Sequence, residues 1–323
     1  MGWKGTVRSI AAAARRYERE AQRQQRELEK QEKLYAKMEA MEQAAHEVAV
    51  YENHIEVIQS IHKEWGNLID WEAIAKTPEP TEPTNIHQRE KDFRPGLITK
   101  LLGNQDKAKA KVIKKDTDEY EKKYNKWKLD YAEWQDNKAL ANQLLANDEE
   151  AKVKAIEKMN PFKDISELGT TLVFTTNSHN ITEAEINTHG QSQVPTEVKS
   201  LLQSGKLSTK KMPKGMFNEI YQDYVCSCVL RVGNELLAIL PEKMVIVHVM
   251  DKMLNTKNGH MEDQCILSVA ISRDTIKDLN MDMIDPSDSL DNFVHNMNFK
   301  KTKGFDVVDK LLPSSFAKSN NQA

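Results

Sequence analysis

The sequence is short of cysteine, glycine and aromatic residues: 3 Cys, 12 Gly and 7% Phe, Trp and Tyr in 323 residues. An odd and low thiol count excludes the disulfide framework of a small secreted scaffold, so reduced thiols in a cytoplasmic protein are expected. All three, Cys226, Cys228 and Cys265, fall in apolar stretches. No transmembrane segment is expected, because the longest apolar run, Tyr224 to Leu240, is too short to span a bilayer and carries Arg231 and Glu235. An excess of one charge is missing as well. With 46 Lys and Arg against 49 Asp and Glu, the formal net charge of -3 exerts no global pull on nucleic acid or acidic lipid, and any such partner needs a local patch. Nor is there a glycine-rich phosphate loop, a G-x-S-x-G or an H-E-x-x-H, which removes the motif-borne signals for nucleotide binding, serine hydrolysis and zinc proteolysis.

What is present in abundance is helix-forming sequence. From Ser9 to about Ile74 there is no proline and one glycine, Gly66, in a background of Ala, Glu, Gln, Lys, Arg and Met. Residues 1–76 are therefore read as a long helix or close pair, partly coiled coil. The seam Ile10, Ala14, Tyr17, Ala21, Gln24, Leu28 is heptad-like but poor in Leu and Ile, so it needs a partner. Its opening holds Lys4, Arg8, Arg15, Arg16, Arg19, Arg23 and Arg26 with Glu18, Glu20, Glu27 and Glu29 between them. That pattern suits a salt-bridged solvated helix, and the basic face is also the basis for a peripheral membrane reading. The first residues, Met1-Gly2-Trp3-Lys4-Gly5-Thr6, formally fit a myristoylation pattern.

Residues 77–93 begin with Thr-Pro-Glu-Pro-Thr-Glu-Pro-Thr, in which three prolines hold the backbone extended; they are read as a linker. Residues 94–160 form a second helical segment, expected to pack on the first. Along it Tyr120, Tyr124, Trp127, Tyr131 and Trp134 recur at steps of four, three, four and three, the spacing of a packing face, with Ile55, Ile58, Ile61 and Trp65 as the expected counterpart. From Phe162 the pattern changes to alternation. Thr171–Thr176 and Ile181–Asn187 read as one hairpin, Met244–Val249 and Cys265–Ile271 as a second, and the apolar helix ending at Pro241 lies between them. A helix start is also read at Asp285-Pro286-Ser287-Asp288. The expected fold is α+β: a long helical, coiled-coil-like N-terminal half, then a domain over 162–313 with a mostly antiparallel sheet of two hairpins on a buried helix, then a loose tail over 314–323.

Candidates for chemistry are sparse. Cys226 and Cys228 point about 200° apart on a helix and do not share a metal. His248, His260 and Cys265 lie around the second hairpin but lack a fourth ligand. Arg231 and Glu235 stand one turn apart and are expected to pair inside the core. Glu197-Val198-Lys199 is an acid-x-lysine step following Glu183 and Glu185. It resembles the active-site pattern of restriction-endonuclease-like folds, and the resemblance implies a Mg²⁺-dependent nuclease using Glu185, Glu197 and Lys199; no cofactor is expected otherwise. Lys206, Lys210, Lys211 and Lys214, with Lys300, Lys301 and Lys303, are solvated loop lysines or a patch for phosphates.

The reading favoured by these observations is a cytoplasmic, non-catalytic assembly protein. Its helical arm binds itself or another protein, and its α+β domain supplies a specific surface made of the lysine loops and the sheet face left open by the helix. The alternatives are the nuclease and peripheral membrane association through the basic N-terminal helix.

Overall fold

A computed structural model of the chain describes residue 27 and residues 40–64, 66–84, 88–95, 105–163, 171–177, 179–188 and 190–316. In chain order these residues form α1 (Ala40–Gln59), α2 (Trp71–Ala75), α3 (Gln88–Lys91), α4 (Gln105–Leu145), α5 (Glu149–Met159), β1 (Thr171–Thr175), β2 (Thr182–Asn187), β3 (Glu197–Leu201), β4 (Leu207–Lys211) and α6 (Lys214–Ile239). They continue with β5 (Met244–Asn255), β6 (His260–Ser272), α7 (Arg273–Asp278), β7 (Val294–Met297), β8 (Phe299–Lys300) and β9 (Gly304–Phe305). The class is mixed helix and mostly antiparallel sheet with one 41-residue helix, α4. Among the described residues no helix is long and apolar enough to cross a membrane. The basic residues from Lys4 to Arg26 and residues 96–104 of the expected second helical segment lie outside the described residues.

Among the described residues the contacts divide the chain into two compact units, one of residues 70–145 and the other of the described residues up to 69 and from 146 onwards. The composition change at Phe162 is thus not where the units part.

In the first unit the Asp70 side chain caps α2 by accepting from the Ala73 amide, and Trp71 and Ile74 are buried. Prolines 78, 80 and 83 then forbid helix, and the chain runs extended to Thr84. This stretch lies along α4: the Trp134 indole N–H donates to Thr77 O and the Trp127 indole N–H to Pro80 O, each at 3.0 Å. The rings from Tyr120 to Trp134 form a continuous ladder with centroids 5.4–5.7 Å apart. Within this unit the aromatic face therefore packs on the proline-rich stretch, where the sequence reading gave it a helix containing Ile55 and Ile58 as counterpart. Beyond it, Arg89 on α3 pairs with Asp116 and Glu119 of α4.

In the second unit α1 stops at Gln59, well short of the expected end near residue 76. A 3-10 turn, Ile61–Lys63, follows, and the chain then extends so that the Gly66 amide donates to Glu235 Oε1 at 2.8 Å. Glu235 is buried and pairs with Arg231 at 3.0 Å, so the need of a buried carboxylate for donors overrides helix propensity here. A Cβ on residue 66 would stand 3.0 Å from Glu235 Oε2, which explains the glycine.

The five-stranded sheet has the order β1-β2-β5-β6-β7. All neighbours are antiparallel except β2 and β5, which are parallel and joined by the long connection containing β3, β4 and α6. Helix α6 is the core: every residue from Tyr224 to Ile239 except Asn234 is buried. Its contact with the sheet is close enough that a Cβ on Gly233 would strike the Ile271 side chain. Strand alternation and register put Ala184, Ile186, Val245, Val247, Val249, Leu267, Val269 and Ile271 on that face, nearly all fully buried. Each buried aliphatic side chain there contributes roughly 1.5–3 kcal/mol.

Two expectations are revised locally. The lysine-rich stretches read as loops form the two-stranded ribbon β3-β4, which lies beside α1. The helix expected from Asp285 is only a 3-10 turn, Asp288–Asn292, because the Asp285 carboxylate accepts from the Ser287 and Asp288 amides and from the Ser287 hydroxyl, an Asx turn that competes with helix.

Candidate functional site

The same alternation that buries the valines sends Glu183, Glu185, Ile246, His248, Ser268 and Ala270 to the other face of the sheet. There His248 Nδ1 lies 2.8 Å from Ser268 Oγ and Nε2 lies 3.2 Å from Glu183 Oε2. Residues 306–312 run over this face. Val308 N donates to Cys265 O, Leu311 N donates to Ser268 Oγ at 2.9 Å, and the Lys310 ammonium pairs with Glu185 at 2.6 Å. Leu311 and Phe316 cap the apolar half of the face against Ile181, Ile246 and Ala270. Burial holds His248 below the usual imidazole pKa, and the Lys310 charge adds to this, while the Glu183 hydrogen bond acts in the opposite direction. A neutral ring that donates from Nε2 to Glu183 and accepts at Nδ1 from the Ser268 hydroxyl satisfies every group in the chain. The serine, histidine and acid are in line, yet His248 and Ser268 are buried and the Ser268 oxygen already accepts from Leu311. In this arrangement they fasten the 306–312 segment to the sheet.

The nuclease residues are placed apart in kind. Glu185 belongs to the five-stranded sheet, whereas Glu197 and Lys199 belong to the β3-β4 ribbon, where Glu197 stands opposite Lys211. Lys199 is on a strand, as an acid-x-lysine site requires, but its ammonium bonds Glu47 of α1 at 2.9 Å. Among the described residues no three His, Cys, Asp or Glu side chains gather in a way that holds a metal ion. His260 sits exposed at the β5-β6 turn, and the Cys265 thiol donates to Leu267 O, so neither joins His248.

The lysines fare differently. Lys206, Lys210, Lys211 and Lys214 are exposed, as are Lys300, Lys301 and Lys303 in the β8-β9 turn. Residues more than 80 positions apart meet at the start of α6: the Asn218 amide donates to Lys301 O at 2.7 Å, and the Lys301 stem lies 3.2 Å from where a Cβ on Gly215 would be. Lys301 also pairs with Glu219 at 2.5 Å. The turn carrying Lys300, Lys301 and Lys303 is thereby set beside Lys214, at a helix end whose unsatisfied amides add positive potential. Lys210 and Lys211, being consecutive on β4, project to opposite faces of the ribbon, so only part of that set shares a direction.

Sequence reasoning missed one buried polar centre. Lys152 and Glu242, both fully buried, pair at 2.7 Å; Glu242 also accepts from Thr182 N at 2.7 Å and Thr182 Oγ1 at 2.8 Å, and Lys152 donates to Asn180 Oδ1 at 2.9 Å. Lys152 looks like an ordinary surface lysine on a charged helix, and its only sequence signal is its place between the small apolar positions Ala151 and Ala155. Neither a protein-family model, nor a curated protein, nor a solved structure matches this chain.

Proposed function

We propose that this protein acts by association, with the lysine-bearing end of α6 as the surface that receives an acidic partner protein and the helical arm available for self-association or a second partner. The observation that carries the reading is the meeting of Lys214 with the Lys300, Lys301 and Lys303 turn across more than 80 residues of sequence. In the described residues only Lys301 of these four has an ion pair, so the others are free to meet carboxylates. Exposed charges of this kind set on-rate and partner choice more than raw affinity, and they act within about a Debye length.

The test is binding of a labelled poly-glutamate peptide to the full chain at low and physiological salt, with molar mass followed by light scattering. Binding that weakens with salt, and that falls at least about tenfold in a Lys214→Glu/Lys300→Glu/Lys303→Glu variant of unchanged mass and helix content, supports the proposal. Binding untouched by the triple variant rejects this surface. Cleavage of a plasmid in Mg²⁺, abolished by Lys199→Ala, would instead establish the nuclease.

A further inference from the structure

The proline-rich stretch and the aromatic ladder of α4 fit each other in period as well as in contact. Trp127 and Trp134 are seven residues apart on a helix, a rise of about 10.5 Å. Their acceptors, Pro80 O and Thr77 O, are three residues apart, and one turn of polyproline II rises about 9.3 Å. The two strands of contact run antiparallel and stay in step. Burial along the stretch has the same period of three: Thr77 is buried and Pro80 and Pro83 are half-buried, while Pro78, Glu79, Thr81, Glu82 and Thr84 are exposed. On the helix the ladder continues one heptad beyond Trp127 to Tyr120, in the direction of Pro83, and Tyr124 stacks between them.

These are the elements by which aromatic grooves read proline-rich peptides: ring faces for the pyrrolidines, and indole N–H groups for carbonyls that no neighbouring strand satisfies. We infer that the Tyr120 to Trp134 face of α4 is a polyproline-II binding groove and that residues 77–83 are its resident occupant, exchangeable for a proline-rich peptide of another protein with prolines at the same three-residue spacing. The stretch is held independently at both ends, by α2 with its buried Trp71 and Ile74, and by Arg89 of α3 on Asp116 and Glu119. Its middle therefore leaves the groove without either anchor letting go. A tethered occupant has a high effective concentration, so the resident stretch weakens an incoming peptide in the intact chain, and releasing it uncovers the groove. This site is separate from the lysine surface, and either stands if the other fails.

The experiment uses the full chain and a labelled peptide of sequence Thr-Pro-Glu-Pro-Thr-Glu-Pro-Thr. A Pro78→Gly/Pro80→Gly/Pro83→Gly variant with unchanged helix content is expected to bind the peptide at least about tenfold more tightly than the unsubstituted chain, and Trp127→Phe in that variant is expected to reverse the gain. Equal binding by the two chains, or a gain that Trp127→Phe leaves intact, overturns the inference. Should the triple variant lose helix, the unsubstituted chain carrying 5-fluorotryptophan decides. Saturable movement of the Trp127 and Trp134 fluorine resonances with this peptide, and not with its proline-to-alanine counterpart, supports the groove, and no movement at millimolar peptide overturns it. A doubling of mass without peptide-dependent movement also overturns it, because the groove is then filled by a second copy of the chain.

Discussion

Removing the charge from Glu242 breaks a fully buried ion pair in the second unit. Glu242→Gln keeps the volume and leaves an oxygen for Thr182, but the Lys152 ammonium, fully buried on α5, is left with Asn180 as its remaining partner. Breaking a buried pair in this way costs about 3–5 kcal/mol, because the penalty is the uncompensated charge rather than the lost attraction. For a domain of this size about 2–4 °C is lost per kcal/mol, so the midpoint of thermal unfolding should fall by on the order of 10 °C. Lys152→Met should cost less than Glu242→Gln, since the carboxylate keeps the Thr182 amide and hydroxyl as donors. In the Lys152→Met/Glu242→Gln double variant no charge is buried and Thr182 still has its acceptor, so stability should recover part of the loss, with a coupling of about 2 kcal/mol or more. Urea unfolding of the four proteins measures the cycle. Strict additivity, or a loss below about 1 kcal/mol for Glu242→Gln, would refute the claim that these two charges depend on each other.

Three further outcomes follow from the core. Gly233→Ala should destabilise by about 1–3 kcal/mol, because its Cβ meets Ile271 Cδ1, and Ile271→Val, which deletes that atom, should cost less in the Gly233→Ala background than alone; chemical denaturation of the four proteins checks this. Burial pushes the Cys226 thiol well up and the Cys228 thiol to about 12, so neither should react with iodoacetamide at pH 8 until urea unfolds the chain, as mass spectrometry will read. Burial lowers the pKa of both His62 and His248. For groups whose folded pKa lies below the unfolded value of about 6.5, the unfolded chain binds the proton first, so stability is full above that pH and declines as pH falls towards the folded value, at up to about 1.4 kcal/mol per pH unit for each histidine. The urea midpoint should therefore drop between pH 7.5 and 5.5, and a flat or rising midpoint contradicts the assignment.

The elements most legible in the sequence were those whose signal is local. Helix α6 announces itself by apolar residues on nearly every side and stops at Pro241, and both hairpins have alternating or β-branched runs between turn residues. The Arg231–Glu235 pair follows from spacing alone. What the sequence concealed was set by distant partners. The extended segment at Gly66 serves a carboxylate 169 residues away, and the proline stretch, which composition describes as a free linker, is pinned by two indoles 47 and 57 residues downstream. The candidate sites divide in the same way. Exposure of the lysines is legible from their type, but their meeting at Gly215 depends on where β8 and β9 fold back. The acid-x-lysine pattern carries no tertiary information at all: Glu197 and Lys199 lie together on β3, whereas Glu185 belongs to the other sheet.

The order in which the ribosome delivers this chain is at odds with the order of its contacts. The partners of α1 and the turn after it lie far downstream on β3 and α6, 152 residues away for Glu47 with Lys199, 164 for Gln59 with Asp223 and 165 for His62 with Ser227, because the whole Asp70–Leu145 unit is inserted in sequence between the two halves of the other. At about 5–20 residues per second, the side of α1 bearing Ala44, Val48 and Ile58 waits on the order of ten seconds or longer for the residues that will cover it. The inserted unit is complete by then and free to fold first. The apolar side of α1 is therefore the surface left uncovered longest during synthesis, and a stalled chain ending before Lys214 should be the species that aggregates.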